Sequence, residues 1–213
     1  MNVTTLKASP QEKKQSLKTG VFIGFFIFLC YHVYSYINFT YFNDVAKQSS
    51  TLSLADINYI PFTSGYDLPS APFKFYTKND KGELQAQEKS LKDLIGKPML
   101  VHIWATYCPP CVQEMPAYNK FAGSIGSNIQ NLAIMSGPVS VVDIDAFYKN
   151  NKLDSLPIIT DEKNIILSGY KLNSLPTTIF VNAKGKPLGF IAGPVSWDDK
   201  DVVELVQRIL EGE

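Results

Sequence analysis

WATYCPPC, residues 104–111, places two thiols two residues apart with two prolines between them. Upstream, PMLVHIWA (98–105) is apolar on both alternating faces, the mark of a central strand in a covered sheet. Downstream, CPPCVQEMPAYNKFAGSI reads as a helix. Pro109 suits its first position, where the missing amide proton has no intrahelical partner to lose. Pro116 is expected to kink it. The two thiols therefore fall where a central strand hands over to a helix N-terminus.

That position has chemical consequences. A helix N-terminus carries partial positive charge and free amide protons. A thiolate there is stabilised, and its pKa falls below the free value of about 8.5. Cys108, just before the helix, is expected to be the more exposed sulfur and the attacking nucleophile. Cys111, one turn in, is placed to resolve a mixed disulfide. Pro109 and Pro110 offer no amide proton to the Cys108 sulfur, so its thiolate is expected to be only moderately stabilised. A strongly oxidising pair needs a strongly stabilised reduced form, so the prolines lean the pair towards a reductant. Taken alone, CxxC also fits a static disulfide, or half of a metal site completed by another chain or by His102. The strand before it and the helix after it favour a working redox couple.

The chain has 213 residues, 45% of them apolar, with 20 Lys plus Arg against 20 Asp plus Glu. That is one ordinary domain plus an extra segment. No basic surplus points to nucleic acid, and no nucleic-acid partner is expected. Cys30, Cys108 and Cys111 are the three cysteines. They are too few for a disulfide scaffold or a four-thiolate zinc site, and no metal site is expected. His32 and His102 are the two histidines.

Residues 19–43, TGVFIGFFIFLCYHVYSYINFTYFN, contain no Asp, Glu, Lys or Arg. As a helix they would reach ~37 Å, against a hydrocarbon core of about 30 Å. Tyr31, Tyr34, Tyr36 and Tyr41 gather towards the C-terminal end, as interfacial aromatics do. Lys7, Lys13, Lys14 and Lys18 precede the segment and place residues 1–18 in the cytoplasm by the positive-inside rule. No small-residue cleavage site follows, so an uncleaved single-pass anchor is expected rather than a signal peptide, with Cys30 as an apolar filler. Residues 44–70 mix polar residues with Pro and Gly and read as a linker. Residues 71–213 read as the folded domain.

Within that domain, FKFYT (73–77) and ELQAQ (83–87) flank NDKG and suggest a hairpin. SLKDLIG suggests one helical turn closed by Gly96. NLAIMS (131–136) and PIIT are expected strands, and VVDIDAFYKNN (141–151) an expected helix. TTIFVN (177–182) and PLGFIAG (187–193) suggest a second hairpin. The final helix would present Trp197, Val202, Leu205, Val206 and Ile209 on one side, with Ser196 as its cap. The class is α/β: a central mixed β-sheet with helices on both faces.

SLKDLIGKPMLVHIWATYCPPCVQEMP, SLPTTIFVN with AKGKP, and IAGPVSW together resemble the thioredoxin superfamily and, within it, the membrane-anchored TlpA/ResA-like thiol–disulfide oxidoreductases of bacteria. The resemblance spans residues 71–213 and implies a thioredoxin-like fold. It implies that Pro176 is a cis-proline beside the thiols, with backbone at Leu175 exposed for strand-like pairing with a client and Thr177 beside it. It implies that Glu114, one turn beyond Cys111, tunes proton transfer at the sulfurs. A carboxyl in that cleft should have a raised pKa. Trp104 is implied as packing beside the site, and Tyr107 as part of the docking surface. His102 departs from the family, which carries aspartate or asparagine there. It shares a strand face with Trp104, as either a satisfied core histidine or a tuner of the thiols.

The implied activity is that of a protein disulfide reductase at the bacterial inner membrane, facing the periplasm. Its partners would be a client with a cysteine pair and an upstream membrane thiol reductant, with no dissociable cofactor. Clients in cytochrome oxidase copper-site assembly or cytochrome c biogenesis are implied, the TlpA-like ending favouring the copper branch. A soft-metal (copper) chaperone and a disulfide-introducing oxidase remain the alternatives.

Overall fold

The computed structural model describes residues 28–29, 31–36, 57–63 and 65–211. The domain is built on one mixed sheet. Its strands are β1 (Tyr59–Pro61), β2 (Phe73–Lys78), β3 (Leu84–Lys89), β4 (Met99–Trp104), β5 (Gln130–Ser136), β6 (Ile158–Asp161), β7 (Thr177–Val181) and β8 (Pro187–Ala192). Their spatial order is β1-β8-β7-β4-β5-β6-β2-β3, with β4, β5 and β6 parallel to one another and every other neighbouring pair antiparallel. The helices are α1 (Pro109–Ser124), α2 (Val141–Asn150), α3 (Ile165–Gly169) and α4 (Lys200–Glu211).

β4 is buried along its whole length, as its unbroken apolar run requires. Leu100 and Trp104 face a core that includes Cys111, Met115 and Tyr118 of α1, Ile144 of α2 and Val206 of α4. Met99, Val101 and Ile103 face the other core, with Leu91 and with Ile166 and Tyr170 of the α3 region. Both layers thus close over the strand that leads into the thiols. The expected hairpins form in register, Phe73 with Lys89 and Thr177 with Ala192. The turn before β4 is a 3-10 helix, Leu91–Leu94, and Gly96 follows it with φ +131°, open to glycine and strained for other residues.

Two expectations change and one element is new. The linker expected over 44–70 is folded in its latter part: β1 pairs with β8, and Ile57 and Leu68 are buried. The aromatic side chains there, Tyr59, Phe62 and Tyr66, are not spaced as an alternating run. Tyr59 meets Phe180 edge-on, and Phe62 stacks on Tyr66 and Tyr170. A Cβ at Gly189 would lie 2.5 Å from the Tyr59 ring, so glycine is what lets β1 lie against β8. Ser196 does not cap the last helix. Asp199 does, accepting from the Asp201 amide at 2.9 Å, and a carboxylate serves a helix N-terminus at least as well as a hydroxyl. Finally, α3 falls in a stretch too short for a helical period to be read.

Of the anchor expected over 19–43, residues 28–29 and 31–36 are helical, and the rest lies outside the described residues, as do 1–18 and 44–56. Among the described residues no helix is long and apolar enough to cross a membrane.

Candidate active site

Cys108 is the N-cap of α1, with extended backbone at φ −99° and ψ 103°. Its amide donates back to the Ala105 carbonyl at 3.2 Å, and its own carbonyl accepts the first helical bond, from the Val112 amide at 3.1 Å. Cys108 and Cys111 are joined as a disulfide, their Cα atoms 5.3 Å apart. Cys108 keeps 8% of its surface exposed and Cys111 none, the asymmetry expected of an attacking and a resolving sulfur. An N-cap acceptor ordinarily receives the amide of the second or third helical residue. Here the first and second are Pro109 and Pro110, and the Cys108 side chain receives no cap hydrogen bond.

Tyr107 is 67% exposed. Its ring lies over Gly137 in the β5–α2 loop, where a Cβ would come 3.6 Å from the tyrosine hydroxyl. Trp104 is fully buried and packs on Phe147, ring centroids 5.0 Å apart. The Leu175–Pro176 bond is cis. Thr177 pairs with Ile103, so Pro176 lies one residue beyond, at the end of β4 from which the thiol loop departs. The Pro176 carbonyl accepts from the Gly193 amide at 2.9 Å, and the Thr177 hydroxyl donates to the Ser174 carbonyl at 2.8 Å. Leu175 is half-buried, and among the described residues its backbone N–H and carbonyl make no hydrogen bond.

Beneath the thiols lies a buried polar chain. Glu114, one turn beyond Cys111, is 7% exposed. Its Oε2 accepts from the Val195 amide at 2.8 Å and from the Trp197 indole N–H at 3.2 Å. Its Oε1 has no hydrogen-bond partner and faces His102 Nε2, which also has none, across 3.4 Å. The other imidazole nitrogen, Nδ1, lies 3.0 Å from the Thr178 hydroxyl. Burial raises the Glu114 pKa to about 7, against the lowering pull of its two donors. Burial alone lowers His102 to about 3, so the imidazole is neutral at neutral pH and the contact is not an ion pair there. Tyr118 packs at a tilt against the His102 ring, centroids 4.5 Å apart, and its hydroxyl is pushed well above its ordinary pKa by burial.

His102 and Glu114, which the sequence put on separate elements, are thus brought together. Val195, Trp197 and Thr178 went unrecognised as their partners. Trp197 was legible only as one apolar side of a helix, and a backbone amide or a second strand threonine leaves no sequence signal at all.

The model of the AhpC/TSA family matches residues 70–186. The chain is 30% identical over 104 residues to the thiol-disulfide oxidoreductase ResA of Halalkalibacterium halodurans, covering 49% of this chain and 58% of that one. It is 28% identical over 131 residues to the sporulation thiol-disulfide oxidoreductase A of Bacillus subtilis, covering 60% of this chain and 76% of that one. The resemblance to ResA-like proteins is therefore met, although the first match reaches little more than half the length of that relative. In fold, the chain superposes on a secreted thiol-disulfide isomerase from Corynebacterium glutamicum with a TM-score of 0.56 and 20% identity, covering 72% of this chain and 92% of the other.

Proposed function

The chain belongs to the AhpC/TSA family, and we propose that it is a thiol–disulfide oxidoreductase acting as a reductase of cysteine pairs in client proteins. The observation that carries this reading is the Cys108–Cys111 disulfide held at the start of α1, with Cys108 alone of the two keeping some solvent exposure. In the reduced enzyme the Cys108 thiolate attacks one sulfur of a client disulfide. A mixed disulfide forms and the other client sulfur leaves as a thiolate, taking up a proton. Cys111, deprotonated in turn, attacks the Cys108 sulfur and releases the second client thiol. Two electrons and two protons pass to the client, and the Cys108–Cys111 disulfide remains. An upstream thiol donor restores the dithiol by the same exchange run in reverse. The unpaired Leu175 backbone offers a client segment a strand-like contact beside the sulfurs.

The charge-free run over 19–43 supports an uncleaved anchor, with the domain on the outer side of the inner membrane. Assembly of the cytochrome oxidase copper site is the proposed setting, on the TlpA-like sequence of the last hairpin and helix, with cytochrome c maturation as the second.

Reduction of a disulfide-containing test protein by the pre-reduced full chain tests the activity. Turnover should vanish with Cys108→Ser, whereas Cys111→Ser should accumulate a mixed disulfide. Turnover undiminished in Cys108→Ser would refute the assignment. Retention of the full chain in membranes washed at alkaline pH tests the anchor, and release into the wash would refute it.

A further inference from the structure

Two buried polar atoms without partners face each other in this domain. Glu114 Oε1 and His102 Nε2 are 3.4 Å apart, and neither makes a hydrogen bond elsewhere. Orphaned buried groups are costly one at a time. As a facing pair they need one proton between them. The far side of each group is already occupied: Glu114 Oε2 by the Val195 amide and the Trp197 indole, and His102 Nδ1 by the Thr178 hydroxyl.

We propose that His102 and Glu114 form one proton-holding unit, in which the imidazole stays neutral and exchanges tautomers as the carboxyl gains or loses its proton, the Thr178 hydroxyl turning to match. When Glu114 is protonated, Oε1–H donates to bare Nε2, and Nδ1–H donates to the Thr178 oxygen. When Glu114 is ionised, Nε2–H donates to the Oε1 carboxylate, and the Thr178 O–H donates to bare Nδ1. One proton leaves between the two forms, and once the 3.4 Å gap closes to hydrogen-bond length the two facing atoms are paired in both. A hydroxyl both donates and accepts, which is what Thr178 supplies and an apolar residue would not.

The surroundings permit no simpler partner. α1 contributes Tyr118 and, one turn before Glu114, the Cys108–Cys111 disulfide. β7 contributes Thr178. The segment after β8 contributes the Val195 amide and Trp197. No lysine, arginine or second carboxylate makes an ion pair or hydrogen bond with the unit among the described residues. Burial pushes both ionisable groups towards their neutral forms, which is why the imidazole answers by tautomer rather than by charge. On the reading of Cys108–Cys111 as a working couple, His102 is a positioning residue. It keeps a carboxyl able to give or take a proton one turn from the buried sulfur of Cys111.

The test is ¹⁵N NMR of the histidine rings in the oxidised full chain, from about pH 5 to 9. The cysteines are disulfide-bonded under these conditions and do not titrate, so the result is independent of whether the protein reduces clients. His32→Asn assigns the two rings. The expected result is a change of His102 from the Nδ1–H to the Nε2–H form as pH rises, with a midpoint near 7 and no doubly protonated ring. In Glu114→Gln the side-chain amide donates to Nε2 at every pH, and His102 should stay in the Nδ1–H form throughout. A single unchanging tautomer in the wild type, a ring that protonates across this range, or exchange that persists in Glu114→Gln would each overturn the proposal. The wild-type titration decides the question alone where the variant does not fold.

Discussion

The Trp197 indole donates to the same Glu114 oxygen that receives the Val195 amide, 3.2 and 2.8 Å away. A carboxylate on α1 is thus held by the segment that leads from β8 into α4. This link across the sequence fixes the proton-bearing group beneath the thiols. Both donors favour the ionised carboxyl and oppose the burial that raises it.

Trp197→Phe should therefore keep most of the ring packing and remove one donor. Hydrogen bonds to charged groups are worth roughly 1.5–3 kcal/mol, so the Glu114 midpoint should rise above 7 by roughly one to two pH units. Carboxyl ¹³C NMR of the variant measures it. A midpoint that stays put would mean that the indole contact carries no weight.

The two buried groups make opposite demands on stability. Glu114, raised from 4.5 to about 7, contributes stability that is present below 4.5 and lost as pH rises through 7. His102, lowered from 6.5 to about 3, contributes stability that is present above 6.5 and lost as pH falls through 3. Between about 4.5 and 6.5 the folded and unfolded chains each hold one proton on this pair, on Glu114 when folded and on His102 when unfolded. Their contribution should be flat there. His102→Asn should unmask the carboxyl, with stability climbing as pH falls from 7 to 4.5. Glu114→Gln should unmask the histidine, with stability falling as pH falls from 6.5 to 3. Each slope should approach about 1.4 kcal/mol per pH unit, read from urea melts. Equal pH dependence in all three proteins would contradict the pairing.

Pro110→Ala returns an amide at the second helical position, which an N-cap side chain ordinarily uses. A charge-assisted bond to the Cys108 thiolate should lower its pKa by roughly one to two units, followed by thiolate absorbance. The reduction potential should move to less negative values with it.

Gly189→Ala would drive a Cβ to 2.5 Å from the Tyr59 ring and 2.6 Å from the Ile60 carbonyl. β1 should lift from β8, with a loss of about 1–3 kcal/mol. Faster amide exchange at the paired residues Ile60 and Phe190 would report it.

Much of this was legible beforehand because the decisive signals are local. The apolar run of β4, Pro109 at the first turn of α1, and the turn residues between β2 and β3 and between β7 and β8 each specify their own element. The edge strand β1 was not legible, because three residues with one inward aromatic leave no period. The cap of α4 was misread because Ser196 and Asp199 both fit, and only the observed first turn of α4 separates them. At the site, the thiols declare themselves by spacing. The Glu114–His102–Thr178 chain does not, because it joins α1, β4 and β7 through space, with separations of 12 and 76 residues along the chain.

The most direct test of the reductase reading is the equilibrium reduction potential of Cys108–Cys111 in the full chain, measured against a glutathione or dithiothreitol couple. A value near that of thioredoxin, about −270 mV, is predicted from a Cys108 thiolate that two prolines deprive of the first two helical amides. A value near −120 mV would contradict the account and make this protein a donor of disulfides.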